Sequence, residues 1–345
     1  MSEIKKCIGE RRIPALPTER SEMLAILAEH IYGVTPDFKS EVSAEKIMDT
    51  RAYGGKGHFA QYLLKATTPS GEFSYPLTLL RPITDKKVPL IVNIRFEIHK
   101  PSGTAPDEEI LDRGVALAKI YYEDVAADSY DDFKKGVAPM FERPEGCRTS
   151  WGKIGMWAWA ASRALDFLLT LDLFDTEKIA VAGHSRLGKT ALWCGAQDER
   201  FKYVFSNNAG CSGDAITRGK AGEQIAQITK NFAYWFDDKY LDYIGDGIEN
   251  MPFDQHFLMA AIAPRKLCVG AALEDEWADP MSEFLCCAAA SEAWERCGGR
   301  GFIAPDRLPV PGDIFGEGDI QYHLRDGGHA MLRGDWMKYI DFLLK

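Results

Sequence analysis

The chain has 345 residues, 46% of them hydrophobic and 27% charged, with a formal net charge of -10. This is the composition of a globular, water-soluble protein, and the negative balance argues against nucleic acid or an anionic membrane as partner. No apolar run approaches the length needed to span a bilayer.

Residues 1–10 contain neither an apolar core nor a small-residue cleavage pattern, so a cytoplasmic protein is expected. The eight cysteines are scattered, with no CxxC pair and no Cys/His ligand spacing, and are expected as reduced thiols. Neither a metal nor a cofactor is expected. Residues 20–32 place Met23, Leu24, Ile26, Leu27 and Ile31 at helical spacing and predict an amphipathic helix. From residue 51 to 82, strand-like stretches are broken at Gly54-Gly55, Pro69-Ser70-Gly71 and Pro82, as in antiparallel strands opening a sheet. Residues 88–96 form a continuous apolar run, the signature of a central strand covered on both faces. A short helix is expected over 107–112 and another strand over 115–122, whereas 125–150 show no period and should be irregular. Residues 151–171 are apolar nearly all round, which predicts a helix buried against the sheet.

Beyond the strand that ends near residue 183, a helix and a strand over 203–206 are expected. Residues 211–250 are long and aromatic-rich, with Phe232, Tyr234, Trp235, Phe236, Tyr240 and Tyr243, and read as a lid-like insertion. Then follow a helix over 253–263 ended by Pro264, a strand over 266–272, a helix over 282–296, a strand over 320–324 and a last helix over 330–344. Strand–helix alternation predicts one α/β domain over 1–345, with residues 1–84 supplying an N-terminal helix and antiparallel strands. Its expected architecture is a three-layer sandwich around a mostly parallel, doubly wound sheet.

The junction Val181-Ala182-Gly183-His184-Ser185-Arg186-Leu187-Gly188-Lys189 joins that strand to its helix. A serine on such a turn is the layout of a nucleophile elbow in an α/β-hydrolase. The pattern departs from G-x-S-x-G, since Leu187 stands at the second glycine position and Gly188 comes one place later. Arg186 and Lys189 sit at the helix N-terminus, where positive side chains are unfavourable unless something negative belongs in the site. Hydrolases of this architecture carry their triad in the order Ser, acid, His. Here Ser185, the acidic group Glu274-Asp275-Glu276 (with Asp279 nearby) and His329 follow successive predicted strands. His184 reads as packing beneath the elbow, and His30, His58, His99, His256 and His323 receive no role.

The elbow Gly183–Lys189 resembles the G-C-S-R-x-G-K motif of the glucuronoyl esterases, in the variant with His before Ser. Pro252-Phe253-Asp254-Gln255-His256, Ala260-Ala261-Ile262-Ala263-Pro264-Arg265 and Glu274-Asp275-Glu276-Trp277-Ala278-Asp279-Pro280 continue the resemblance, which covers about residues 85–345. It implies that Ser185 is the nucleophile and His329 the base, and that Arg186 serves the oxyanion through its backbone N–H and guanidinium. Lys189, Glu223 and Trp277 would contact sugar hydroxyls and ring. Asn208 occupies one position where the family places its acid and cannot be that acid, so the resemblance selects Asp275, with Glu276 and Asp279 as rivals. The implied activity is hydrolysis of glucuronic acid esters, either side groups of glucuronoxylan joined to lignin alcohols or small alkyl glucuronates. Acetyl xylan or oligosaccharide deacetylation is the runner-up, and a carbohydrate-binding pseudoenzyme is the reading from a different class.

Overall fold

The computed structural model describes residues 2–36, 41–96 and 105–345; His99 lies outside the described residues. Its strands are β1 (Glu41–Ala52), β2 (Gly57–Thr68), β3 (Gly71–Pro82), β4 (Val88–Arg95), β5 (Ala116–Tyr121), β6 (Phe174–His184), β7 (Tyr203–Asn207), β8 (Lys266–Ala272), β9 (Ile314–Phe315) and β10 (Ile320–Arg325). They form one sheet in the order β1-β2-β3-β5-β4-β6-β7-β8-β10-β9. The run from β5 through β4, β6, β7 and β8 to β10 is parallel. The first three strands and β9 are added antiparallel at the two edges.

Alternation along the central strands decides how the sheet is covered. Leu90 and Val92 of β4, Ala116 and Ala118 of β5 and Val181 of β6 belong to one core. Their neighbours Ile91, Leu117, Ala180 and Ala182 belong to the other. Both faces of a strand are therefore buried, which is why these segments read as unbroken apolar runs. The first core is closed by α2 (Arg20–Leu27), α5 (Lys153–Thr170), α6 (Arg186–Gln197), α8 (His256–Ala260) and α9 (Pro280–Arg296), with Trp157, Trp193 and Trp294 buried in it. The second is closed by α3 (Asp107–Asp112) and α10 (Arg333–Leu344), through Ile110, Trp336 and Tyr339. Helix, sheet and helix make the three layers of the α/β-hydrolase arrangement. No helix among the described residues is long and apolar enough to cross a membrane.

The departures from the sequence reading have tertiary causes. Helix α1 (Glu3–Glu10) was not anticipated; its first N–H groups, on Glu3 and Ile4, donate to Asp306, some 300 positions away, each at 3.1 Å. Strand β1 begins ten residues before the expected segment. Most of its residues are exposed, so it carries no apolar alternation, and it exists by pairing with β2 from Glu41↔Thr67 to Ala52↔Gly57. The helix expected over 253–263 shrinks to α8, because the Asp254 carboxylate is used to cap a different loop, taking the N–H groups of Thr217 (2.6 Å) and Arg218 (3.2 Å). Two further short helices, α4 (Tyr122–Val125) and α7 (Ile225–Phe232), lie in connections. The 211–250 segment is packed rather than draped. Ile225, Ile228, Trp235, Phe236 and Tyr240 are buried, Tyr32 donates to Ser212 O at 2.8 Å, and Ser212 bonds Tyr240 at 2.7 Å.

His256 ties the N-terminal segment to this body, its Nε2 lying 3.0 Å from the Pro14 carbonyl. Burial, only partly opposed by Asp254, pushes its pKa down to about 4, whereas in an unfolded chain it titrates near its ordinary value of about 6.5. Between these values the unfolded state takes up a proton that the folded state refuses. This contribution to stability is complete above pH 6.5 and is lost as pH falls to about 4. Melting temperature should fall through that window, and His256→Gln, which keeps a donor for Pro14, should shrink the fall. Calorimetric melting curves of both proteins across that range check this; equal slopes would remove His256 from the account.

Candidate active site

Ser185 occupies the single residue between β6 and α6, with φ 58° and ψ -125°. A positive φ is strained for a residue with a Cβ and persists only where neighbours impose it. Here its N–H donates to Asn207 O at 2.8 Å, and its carbonyl accepts from Gly188 at 2.9 Å and Lys189 at 3.2 Å. A Cβ on Gly183 would lie 2.0 Å from Leu187 O, so only glycine lets the helix turn back over the strand. A Cβ on Gly188 would lie 3.0 Å from Ala209 Cβ and 3.1 Å from Ser206 Oγ. Residue 188, not 187, is the one that touches β7 and its exit, which explains the displaced glycine; Leu187 is buried in the core instead. The Ser185 hydroxyl makes no capping bond to the helix.

Asp275 and His329 arrive on loops leaving β8 and β10. His329 Nδ1 lies 2.6 Å from Asp275 Oδ2, and Asn208 Nδ2 donates to the same oxygen at 2.8 Å. The other carboxylate oxygen takes the Ala278 N–H at 3.3 Å. Burial works against the charge on Asp275, but the His329 bond and these donors hold its carboxyl below the usual range. With a carboxylate at Nδ1, that nitrogen carries the imidazole proton and Nε2 is left free to accept one. The two loops are stitched together by backbone bonds from Leu273 to Arg325 O (2.9 Å) and from Glu274 to Gly327 O (3.0 Å).

The rivals for the acid are placed elsewhere. Asp279 caps α9, accepting from Ser282 N (3.1 Å) and Oγ (2.6 Å) and from Ala221 N (2.8 Å). Glu276 is exposed. Asn208 is no acid, yet it donates to the Asp275 carboxylate. His184 bonds Asn207 Oδ1 at 2.8 Å, and its ring centroid lies 4.6 Å from that of His329. Burial first, then the neighbouring imidazole, push its pKa down to about 4, so it flanks His329 as a neutral ring.

Arg186 lies on the other side of the serine. Its guanidinium carbon lies 4.6 Å from the ring centre of Trp235 and 5.1 Å from that of Phe232. It is paired with Asp128. Asp128 in turn accepts from Tyr122 OH (3.0 Å), Tyr234 OH (3.1 Å) and Trp235 Nε1 (2.7 Å). The negative group implied by two cations at this helix end is thus, for Arg186, supplied in part by the protein itself. Sequence reasoning missed Asp128 because it falls in the stretch without period, and nothing in its spacing marks it. As the first residue of α6, Arg186 also offers a backbone N–H with no partner inside the helix.

Lys189 is buried, with Nζ donating to Ala209 O. The Glu223 N–H donates to Trp277 O at 3.0 Å, and the Trp277 ring stands at the rim, 56% exposed. All seven anticipated residues, Ser185, Arg186, Lys189, Glu223, Asp275, Trp277 and His329, line one cavity of about 240 Å³ together with Asn208, Phe232 and Trp235. That is small for a ligand pocket and suits a single ring. A larger open depression of about 560 Å³ includes Arg163, Asp198 and Arg200, but these charges pair among themselves and with Asp166.

A protein-family model described as glucuronyl esterase of fungi matches residues 64–298. A carbohydrate esterase from an unknown prokaryotic organism is 31% identical, the match covering 94% of this chain and 83% of that protein. A 4-O-methyl-glucuronoyl methylesterase of Wolfiporia cocos is 29% identical over 70% of this chain and 65% of its own length. Among solved structures, a glucuronoyl esterase from Solibacter usitatus superposes with a TM-score of 0.84 at 33% identity, covering 94% of this chain and 91% of that one.

The two aspartates can be separated by experiment. Asp275→Asn should lower kcat on an activated ester by about 10³- to 10⁴-fold with little change in melting temperature. Asp279→Ala should lower the melting temperature by the loss of a helix cap, worth about 1 kcal/mol, with kcat nearly kept. Steady-state kinetics and thermal melts of both variants decide; the reverse pattern would reassign the acid.

Proposed function

The chain belongs to the glucuronyl esterase family, and from that premise we propose that it is a serine esterase that hydrolyses glucuronic acid esters through an acyl-enzyme on Ser185. The observation that carries this reading is the 2.6 Å bond between His329 and Asp275 at the mouth of the cavity that Ser185 also lines.

In the proposed cycle His329 Nε2 takes the Ser185 proton as Oγ adds to the ester carbonyl, and Asp275 holds the imidazolium that results. The carbonyl π pair moves onto oxygen. The Arg186 N–H and guanidinium face that oxyanion, where each preorganised donor is worth about 3–4 kcal/mol of barrier. Collapse re-forms the carbonyl and breaks the bond to the alcohol oxygen, which leaves with the proton held by His329. Water then adds to the acyl-enzyme, giving its proton to His329 Nε2. The second collapse releases the glucuronate carboxylic acid, which ionises at neutral pH, and the proton returns to Ser185. Asp128 keeps Arg186 in place without removing its charge, since an arginine stays protonated throughout this range.

Lys189 and Glu223 supply a cationic donor and an anionic acceptor for neighbouring sugar hydroxyls, and Trp277 offers a ring face at the rim. Such groups bind a uronate ring and have no partner on an acetyl group. Ser185→Ala should abolish turnover of methyl glucuronate with the fold intact. Lys189→Ala should lower kcat/KM on methyl glucuronate by roughly 10- to 100-fold, the loss of about 1.5–3 kcal/mol from a charged hydrogen bond, while p-nitrophenyl acetate hydrolysis changes much less. Parallel assays on the two esters test this; equal losses on both would argue against uronate recognition by Lys189.

A further inference from the structure

The turn that carries His329 is itself a physical problem. Residues 326–329 are Asp326-Gly327-Gly328-His329, with Asp326, Gly328 and His329 exposed, so core packing does not fix the turn. Two adjacent glycines make its backbone unusually free, yet the imidazole has to meet both Asp275 and Ser185. Beyond the Glu274 N–H bond to Gly327 O, the turn is held by one side chain. The guanidinium of Arg325, at the end of β10, donates to Asp326 O (2.7 Å), to Gly328 O (3.0 Å) and to Ala330 O. These three carbonyls span His329 on both sides. A Cβ at Gly327 would lie 3.1 Å from Arg325 Nη1, so this glycine leaves room for the guanidinium as well as allowing the φ of 89°.

Arg325 is in turn anchored from below. Its Nε donates to Asp335 Oδ2 at 3.1 Å. The same oxygen takes the Leu332 N–H at 2.8 Å, and Asp335 Oδ1 lies 2.9 Å from His323 Nε2. The side chains of Asp335 and His323 are fully buried and that of Arg325 is 12% exposed. Burial opposes charge on Asp335, but the His323 bond, the Leu332 N–H and the Arg325 charge hold its carboxyl below the usual range. Burial also pushes the His323 pKa down, against the Asp335 bond, and facing a carboxylate, which only accepts, its Nε2 is the donor. The chain from core to turn is therefore His323 to Asp335 to Arg325 to the carbonyls around His329.

We propose that Arg325, anchored by Asp335 and His323, is a positioning residue that fixes the His329 turn so that the imidazole reaches Ser185 and Asp275 together. The inference rests on the esterase reading only in taking His329 as the base. It requires a planar fork: a lysine ammonium cannot reach three carbonyls and a carboxylate in the directions a guanidinium spans.

The test measures kcat and KM on methyl glucuronate, and the rate at which a fluorophosphonate labels Ser185, for the parent, Arg325→Ala and Arg325→Lys. Circular dichroism and thermal melts report the fold. Arg325→Ala should lose about 10- to 100-fold in kcat and in labelling rate, in keeping with about 1 Å of misplacement, with KM changed less than about threefold. Added guanidinium at a non-denaturing concentration should recover part of both rates, and Arg325→Lys should fall between the two proteins. If Arg325→Ala does not fold, the kcat loss at constant KM in Arg325→Lys decides the matter. Labelling and turnover of a folded Arg325 variant at the parent's rates would overturn the inference and leave the esterase reading standing. A parent that is labelled at Ser185 but does not turn over glucuronate would instead overturn the substrate reading, and the labelling rates would still test the role of Arg325.

Discussion

One carboxylate oxygen organises this site. Asp275 Oδ2 accepts from His329 at 2.6 Å and from Asn208 at 2.8 Å, beneath a surface that leaves the Asp275 side chain 3% exposed. A carboxylate at that depth is stable only if its hydrogen-bonding capacity is met, so the exits of β7, β8 and β10 must converge on it. The β7 exit is supported from behind as well. The Gly210 N–H donates to Asp214 at 2.6 Å and Glu283 at 3.0 Å, and Ser206 Oγ donates to Asp214 at 2.7 Å. Burial, then the nearby Asp214 charge, raises the pKa of Glu283 well above its ordinary value. The parallel order of the sheet brings all these exits to one edge, as the fold requires of its catalytic loops.

The same logic holds on the opposite side of the serine. A protein of net charge -10 must make its positive field locally. Arg186 is held against Trp235 and Phe232 by Asp128, and Asp128 is itself fixed by Tyr122, Tyr234 and Trp235. The aromatic segment between residues 211 and 250 is thus more than a cover. Its Phe232, Tyr234 and Trp235 form the wall beside the cation, and its Glu223 is laid beside Trp277 by a backbone bond.

Much of this was legible in the sequence. The central strands announced themselves because both faces are buried, and the elbow did so because Gly183 leaves no room for a Cβ and Gly188 leaves little. The order Ser185, Asp275, His329 was readable because each follows a strand. What could not be read were interactions whose partners lie far apart in the chain. The α1 cap on Asp306, the capture of Asp254 by Thr217, and the Asp128–Arg186 pair leave no periodic trace. The resemblance selected Asp275 ahead of Glu276 and Asp279, and what the sequence did not hold is how their surroundings differ: one bonds the imidazole, one is exposed and one caps a helix. Nor can a sequence reveal that the anion implied by Arg186 and Lys189 is, for Arg186, in part the protein's own Asp128 carboxylate.

The central claim is geometric: Ser185, His329 and Asp275 form one working unit, with Arg186 facing the oxygen on which charge develops. A crystal structure of the protein after reaction with a fluorophosphonate tests it most directly. The account predicts phosphorus bonded to Ser185 Oγ, His329 Nε2 within hydrogen-bonding distance of that oxygen, the His329–Asp275 bond intact, and the phosphoryl oxygen turned toward the Arg186 N–H. An adduct on another residue, or a His329 ring turned away from Ser185 and bonded elsewhere, would contradict it.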